Sequence, residues 1–489
     1  MIKLDRSLTL VGLVATGVCS MIGGAINIIP FTIQRSVPGI GPNVVAAFLT
    51  GAVPAVLAGL AFAILASAMP NAGGTYVYAS RALNPYLGFI ASFSQWLAIC
   101  VAMGVVSYIL VPFLRDVATA VGWAGVAATL ENGPVRVLIS LGVLWAAAFV
   151  NIRGVKTYQR TVVPLMFLTL AIGAVVIVSG FLYSQSDFAA ALLAAGGGAV
   201  PTIAAQPLTP RLLLPAATVL FSCFIGFDSI AQAGGEARAP SRNIPLAILI
   251  SVLGVAIFYF LFTTSVYHAV PWNYVADQAQ RKDVTAPGLM GMLLPRPWTV
   301  LILSGVAVAL LKDLPAMLMG VSRLLFAWAE DGIFPASVAA VHPVRRTPHV
   351  AILLSAGMAS LSVLGCHLAG DFLLGVDILV TAMLINFLLM CLSVIRLPHR
   401  NPTIAARITA LRARPAQLLV GTAGVVVLAG FLVIHTWKDL HAPIPWYLRS
   451  TWDWLIVMIV GTAIYTRETA KLRATGVDLV ERFKELPAQ

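Results

Sequence analysis

The sequence predicts an all-α integral membrane protein of about twelve spanning helices, arranged as a five-plus-five inverted repeat with broken first and sixth helices. Three observations lead there. Of 489 residues, 59% are hydrophobic and only 10% charged, with a mean hydropathy of +0.92. A soluble chain carries about a quarter charged residues, so an ordinary globular enzyme, a disordered chain and a collagen-like rod are excluded. Apolar stretches long enough to cross a bilayer recur along the whole length, and two of them are interrupted at matching positions.

The stretches lie near 8–34, 43–69, 86–112, 135–152, 161–183, 212–235, 244–270, 298–327, 349–368, 372–395, 416–435 and 451–466. The short start Met1 to Arg6 runs straight into the first of them, which reads as a retained helix and not a removed signal. One transmembrane domain, 1–489, is expected, with repeats at 8–183 and 212–395, two additional helices at 416–466 and no soluble domain.

The net charge of +12 would point to nucleic acid in a soluble protein. Here it has a different origin. Counting alternate loops from an inside N-terminus, twenty-one of the 31 Lys and Arg fall inside, nine outside, and Lys312 falls within a helix. The positive-inside rule then places both termini in the cytoplasm of a multi-pass protein of the cell membrane, with the lipid bilayer and no nucleic acid as partner. The basic run Arg396 to Arg414 belongs to the same inner face. Cys19, Cys100, Cys223, Cys366 and Cys391 sit in apolar stretches without a Cys-x-x-Cys pair and read as small buried hydrophobes.

The first interruption reads Cys19-Ser20-Met21-Ile22-Gly23-Gly24-Ala25-Ile26-Asn27, followed by Pro30. The second reads Phe221-Ser222-Cys223-Phe224-Ile225-Gly226-Phe227-Asp228-Ser229. A broken helix frees backbone N–H and C=O groups at mid-membrane, supplying a polar site without added charge. Each interruption opens a block of five spans, and an odd number of spans makes the second block an inverted copy. The half-helix N-terminus after each break offers N–H groups to a carboxylate; the carbonyls before it face a cation.

At these residues the chain resembles the amino acid–polyamine–organocation (APC) superfamily of secondary transporters. Ala66 to Tyr78 with Pro85-Tyr86-Leu87-Gly88-Phe89 is similar to its second-helix signature, and Asn151-Ile152-Arg153-Gly154-Val155-Lys156 to its fourth-to-fifth loop. Ile225-Gly226-Phe227-Asp228 with Glu236 to Pro245 resembles its sixth helix and exit; Ser322-Arg323, Glu330 to Pro335 and Thr347-Pro348 resemble the end of its eighth. The resemblance implies alternating access and a permease for an amino acid or related amine, with Ser20, Ile22, Gly23, Gly24, Ala25, Asn27, Phe221, Ser222, Phe224, Ile225, Gly226 and Trp96 as candidate substrate-binding residues. Gln95, Asp377 and Thr381 are further candidates for lining the cavity. Two departures bear on substrate: the family's Ile-Gly-Ser-Gly-Ile-Phe is Ile22-Gly23-Gly24-Ala25-Ile26-Asn27 here, and an aromatic that closes over substrate aligns with Ser222. Both imply a roomier or differently gated pocket.

Charge inside the bilayer costs at least ~2.5–3.5 kcal/mol per group and marks function by default. Lys312 and Asp313 stand mid-way along the eighth span before Pro315, and Asp228 follows the sixth-span break. Sodium-coupled relatives hold a cation between the first and eighth helices, and some proton-coupled relatives place a fifth-span Lys there. This chain has Thr169 at about that place, so the Lys312 ammonium is expected to replace the ion, with H+ coupling, or without coupling in an exchanger. A Lys312–Asp313 network that only ties helices together is the alternative. Asp228 is expected either to receive a cation or to brace the break.

A membrane-embedded transferase would need paired acidic residues near the membrane face, and a channel a pore-lining ring. The sequence contains no Asp-Asp-x-x-Asp, His-Glu-x-x-His, Gly-x-Ser-x-Gly or phosphate loop, so no catalytic residue, metal or cofactor is assigned.

Overall fold

The computed structural model describes residues 4–281, 284–369, 373–442 and 444–487. These fold into helices joined by short connections, with no strand among them beyond the isolated bridges Leu8–Ala237 and Ala72–Ala233. The first span is two half-helices, α1 (Leu10–Met21) and α2 (Ala25–Ser36), and α3 (Val44–Ala68) returns across the membrane. A short, wholly buried helix, α4 (Gly74–Ala82), leads into α5 (Pro85–Val121), the longest of the described helices. After α6 (Ala124–Glu131) come α7 (Gly133–Ile152), α8 (Val155–Leu182) and the surface helix α9 (Gln185–Ala194).

The second set repeats the pattern. The sixth span is α10 (Pro210–Phe221) and α11 (Asp228–Gln232), followed by α12 (Pro240–Ala269), the short helices α13 (Trp272–Arg281) and α14 (Ala286–Met290), and the long α15 (Arg296–Glu330). Then follow α16 (His349–Ala369), α17 (Leu373–Arg400), the short α18 (Pro402–Ala405), α19 (Arg414–Leu440), α20 (Ser450–Ala474) and the terminal turn α21 (Leu479–Arg482). Among the described residues, eleven helical stretches are long and apolar enough to span a bilayer. The last expected span corresponds to α20, which is 25 residues long but carries Arg467, Glu468, Lys471 and Arg473 in its second half.

Local chemistry sets the boundaries. Thr9 caps α1 by accepting from Gly12 N, Asn84 caps α5 with Pro85 in its first turn, and Asn132 caps α7 with Pro134 beside it. Ser184 and Asp187 form a reciprocal capping box that starts α9. Inside the bilayer the helices approach through small residues. A Cβ at Gly104 of α5 would lie 2.8 Å from Ala359 O of α16, and one at Gly180 of α8 would lie 2.6 Å from the Ser265 carbonyl of α12.

Two buried ion pairs close the end that carries both termini. Arg81 of α4 makes a two-pronged contact with Asp331 after α15, at 2.6 and 3.0 Å, and Tyr76 donates to the same carboxylate at 2.7 Å. Arg323 of α15 grips Glu236 at 2.8 and 3.0 Å. All four charged side chains are buried. The bridge at Leu8 exchanges backbone hydrogen bonds with Glu236 and Arg238, holding the N-terminal strand of chain against the second pair.

Candidate functional site

Both expected breaks are present and touch each other. Between α1 and α2 the chain unwinds over Ile22–Gly24, leaving the first N–H groups of α2 without helical carbonyls before them. In the sixth span, α10 tightens to a 3-10 turn over Ser222–Phe224, then reverses at Gly226, whose φ is +136°. Only glycine adopts that conformation readily, and a Cβ there would also lie 2.6 Å from the Ser20 carbonyl carbon. The Ser20 and Ser229 hydroxyls complete the junction at 3.1 Å.

Lys312 reaches the first break from α15. Its Nζ donates to Cys19 O at 3.3 Å, to Ile22 O, and to Asp313 Oδ1 at 3.2 Å, in full burial. Helix geometry alone separates adjacent side chains by about 100°; the long lysine stem bends back, so the ammonium meets the carboxylate and the α1 carbonyls together. Asp313 in turn faces Gly23, where any Cβ would collide with its carboxylate. The glycine therefore admits the acid to the break.

A second polar group spans both breaks. The Tyr259 hydroxyl of α12 lies 2.5 Å from Met21 O and 3.2 Å from Cys223 O, held by edge-on contacts with Phe48 and Phe224. One hydroxyl carries one proton, so it serves one carbonyl fully at a time. A third network is wholly buried: Asn386 of α17 donates to Gln95 Oε1 of α5 at 2.9 Å, and Gln95 donates to Asp228.

These groups line or back a cavity of about 290 Å³. Its floor is Ser20, Gly23, Gly24, Ala25, Ser222, Ile225, Gly226, Asp228 and Asp313; Gln95 lines it from α5. Its walls are apolar, with Ile99, Ala102, Val105 and Ile109 of α5 and Leu310 of α15. It extends past Asp377 and His435 to Arg35 and Lys438, away from the ion-paired end that carries the termini. On the terminus-bearing side its lining stops at Gln232 and Gly320, short of the buried ion pairs.

Other expected residues stand behind the wall. Ile22 contributes its carbonyl to Lys312, and the Asn27 amide donates to Gly23 O at 3.4 Å. Phe221 packs on Phe387 and Phe431, and Phe224 on Phe48 and Tyr259. Trp96 donates to Ser355 at 3.1 Å and packs against Phe93 and Trp328. Thr381 meets His435 and Ser450 at 3.0 and 3.1 Å; the Thr169 hydroxyl turns back to Leu165 O. Tyr259 and Asn386 carry no spacing that singles them out, each being an isolated polar residue in an apolar run, and His435 sits at the polar end of its span beside Thr436, Lys438 and Asp439.

The family model for "Amino acid permease" matches residues 8–465, nearly the whole chain. The chain belongs to the amino acid permease family. This permease is a multi-pass membrane transporter and not an enzyme. It is 24% identical over 493 aligned residues to the branched-chain amino acid permease BcaP of Bacillus subtilis, covering 96% of this chain and 95% of that one. It is 27% identical to the vacuolar cationic amino acid transporter 4 of Arabidopsis thaliana, over 71% of this chain and 56% of that one. It is also 26% identical to the methylthioribose transporter of Bacillus subtilis, over 83% and 84%. The paired breaks thus lie in a chain of the amino acid permease family, with the Lys312 side chain seated on the carbonyls of the first break.

Proposed function

We propose that this permease moves an amino acid or related amine across the cell membrane by alternating access, with coupling to H+ or exchange in place of sodium coupling. The observation that carries the reading is the Lys312 ammonium seated between Cys19 O, Ile22 O and the Asp313 carboxylate. A cation bound by α1 carbonyls and an α15 acid needs this pocket, and a tethered ammonium already fills it. The repeats, 8–183 and 212–395, rock about the two breaks, with both termini in the cytoplasm as the Lys and Arg distribution supports. The substrate carboxylate takes the free N–H groups at the start of α2, and its side chain lies along the apolar wall of α5. Asp228, fixed by Gln95 and Asn386, is the second candidate coupling group.

The wall chemistry and the relative's name put leucine, isoleucine and valine first in an uptake panel, followed by arginine, lysine and small amines. Purified protein in liposomes is given these substrates with an imposed H+ gradient, an imposed Na+ gradient or substrate inside. Uptake driven by H+ or by internal substrate, indifferent to Na+, supports the reading; sodium-dependent uptake would falsify it.

A further inference from the structure

The terminal segment 481–487 lies across the closed end of the transporter. Phe483 is 5% exposed among charged, exposed neighbours. Its ring stands 4.6 Å beneath the Arg81 guanidinium and edge-on to Tyr76. Both residues hold Asp331, so Phe483 sits directly on the ion pair that joins α4 to the end of α15. The backbone around it is bound on every side. Asn401, after α17, donates to Lys484 O at 2.8 Å; Arg81 donates to Glu485 O at 3.1 Å; Asn71, before α4, donates to Pro487 O at 3.0 Å. Arg482 reaches back to Glu330 O of α15 at 3.1 Å.

We propose that residues 481–487 form an autoinhibitory strap that holds the terminus-bearing end of the permease shut. Parting α4 from the end of α15 would break the Arg81–Asp331 pair that ties the two together. The strap is bonded to both sides of that parting, through Asn71 and Arg81 on one and Glu330 on the other, and must peel away first. Three of its four hydrogen bonds use main-chain carbonyls of the strap, so its grip depends on the segment being seated, and the seat is Phe483. An aromatic ring sandwiched with a guanidinium is a strong anchor. Its release shifts the populations of the two end states without touching the substrate cavity.

The strap presupposes the alternating access proposed above, and labelling needs no substrate. Ser222 lines the cavity floor and is only half-buried, whereas the native cysteines of the described chain are all buried. A Ser222→Cys chain is exposed to a membrane-impermeant maleimide from either face in oriented vesicles. With Phe483→Asp, and separately with Asn71→Ala, labelling from the terminus-bearing face should rise about threefold or more while labelling from the opposite face falls, the reciprocal change of a shifted equilibrium. Unchanged labelling in both variants, or a rise on both faces as unfolding would give, overturns the strap. Arg81→Ala, which breaks the pair itself, calibrates the assay. Failure of that variant to label from the terminus-bearing face would sink alternating access, whereas its success beside silent tail variants would sink the strap alone.

Discussion

At the scale of single residues, the site is governed by polar atoms in a medium that offers no water to replace a lost partner. Lys312 is the sharpest case, since three acceptors surround one ammonium. Lys312→Met keeps the stem and removes the charge. Uptake is then expected to lose its response to external pH or to fall below detection, and full pH-dependent uptake by this variant would remove Lys312 from coupling. Tyr259 tests a different link. Tyr259→Phe leaves the aromatic contacts intact but deprives Cys223 O of its hydroxyl donor and leaves Met21 O with the Gly23 N–H alone. If the hydroxyl bond is stronger while the breaks rearrange than at rest, initial uptake should drop roughly tenfold with a smaller loss of stability, since an unsatisfied buried carbonyl costs about 1–3 kcal/mol. Equal loss of stability and uptake would make the tyrosine a scaffold residue only.

At the scale of the element, the broken helices depend on glycines for two separate reasons. Gly226 supplies a positive φ and the space for Ser20, whereas Gly23 leaves room for the Asp313 carboxylate. Gly226→Ala is therefore expected to abolish uptake while helical circular dichroism persists, because the strain is confined to the junction of two half-helices. Gly254, mid-way along α12 with open space at its Cβ position, is the matched control. Gly254→Ala should leave uptake unchanged and, given alanine's better helix propensity, stabilise slightly. Much of this level is legible in the residues themselves: paired glycines, Asn27 and Pro30 in one span and Gly226 before Asp228 in another disclose where the helices fail. Which way each side chain turns is not legible there. Trp96 and Gln95 are neighbours on α5, yet Gln95 lines the cavity and Trp96 joins an aromatic cluster with Phe93 and Trp328. A rotation of about 100° per residue separates the two fates, and packing sets its zero.

At the scale of the whole molecule, one end is open to the cavity and the other is closed by buried ion pairs. Breaking such a pair by removing one partner leaves an uncompensated charge and costs about 3–5 kcal/mol. Arg323→Ala should therefore lower the unfolding temperature in detergent markedly through the abandoned Glu236, and Arg323→Met with Glu236→Leu should recover most of that loss. A double variant no more stable than Arg323→Ala would show that the pair is not the principal tie at that end. The Arg81–Asp331 pair differs because the strap lies on it, and its partners come from positions 250 residues apart. Nothing in the spacing of Arg81, Asp331 and Phe483 announces their meeting.

The sequence by itself determined the solvent this protein lives in, the breaks in its first and sixth spans and the few charges left within the membrane, because hydropathy and backbone chemistry act over short stretches of chain. Only the tertiary structure decided that Lys312 grips α1, that one tyrosine serves both breaks, and that the terminal segment lies on the closed end. Those contacts join residues far apart in the chain, and their geometry is set by how helices rotate and pack against one another.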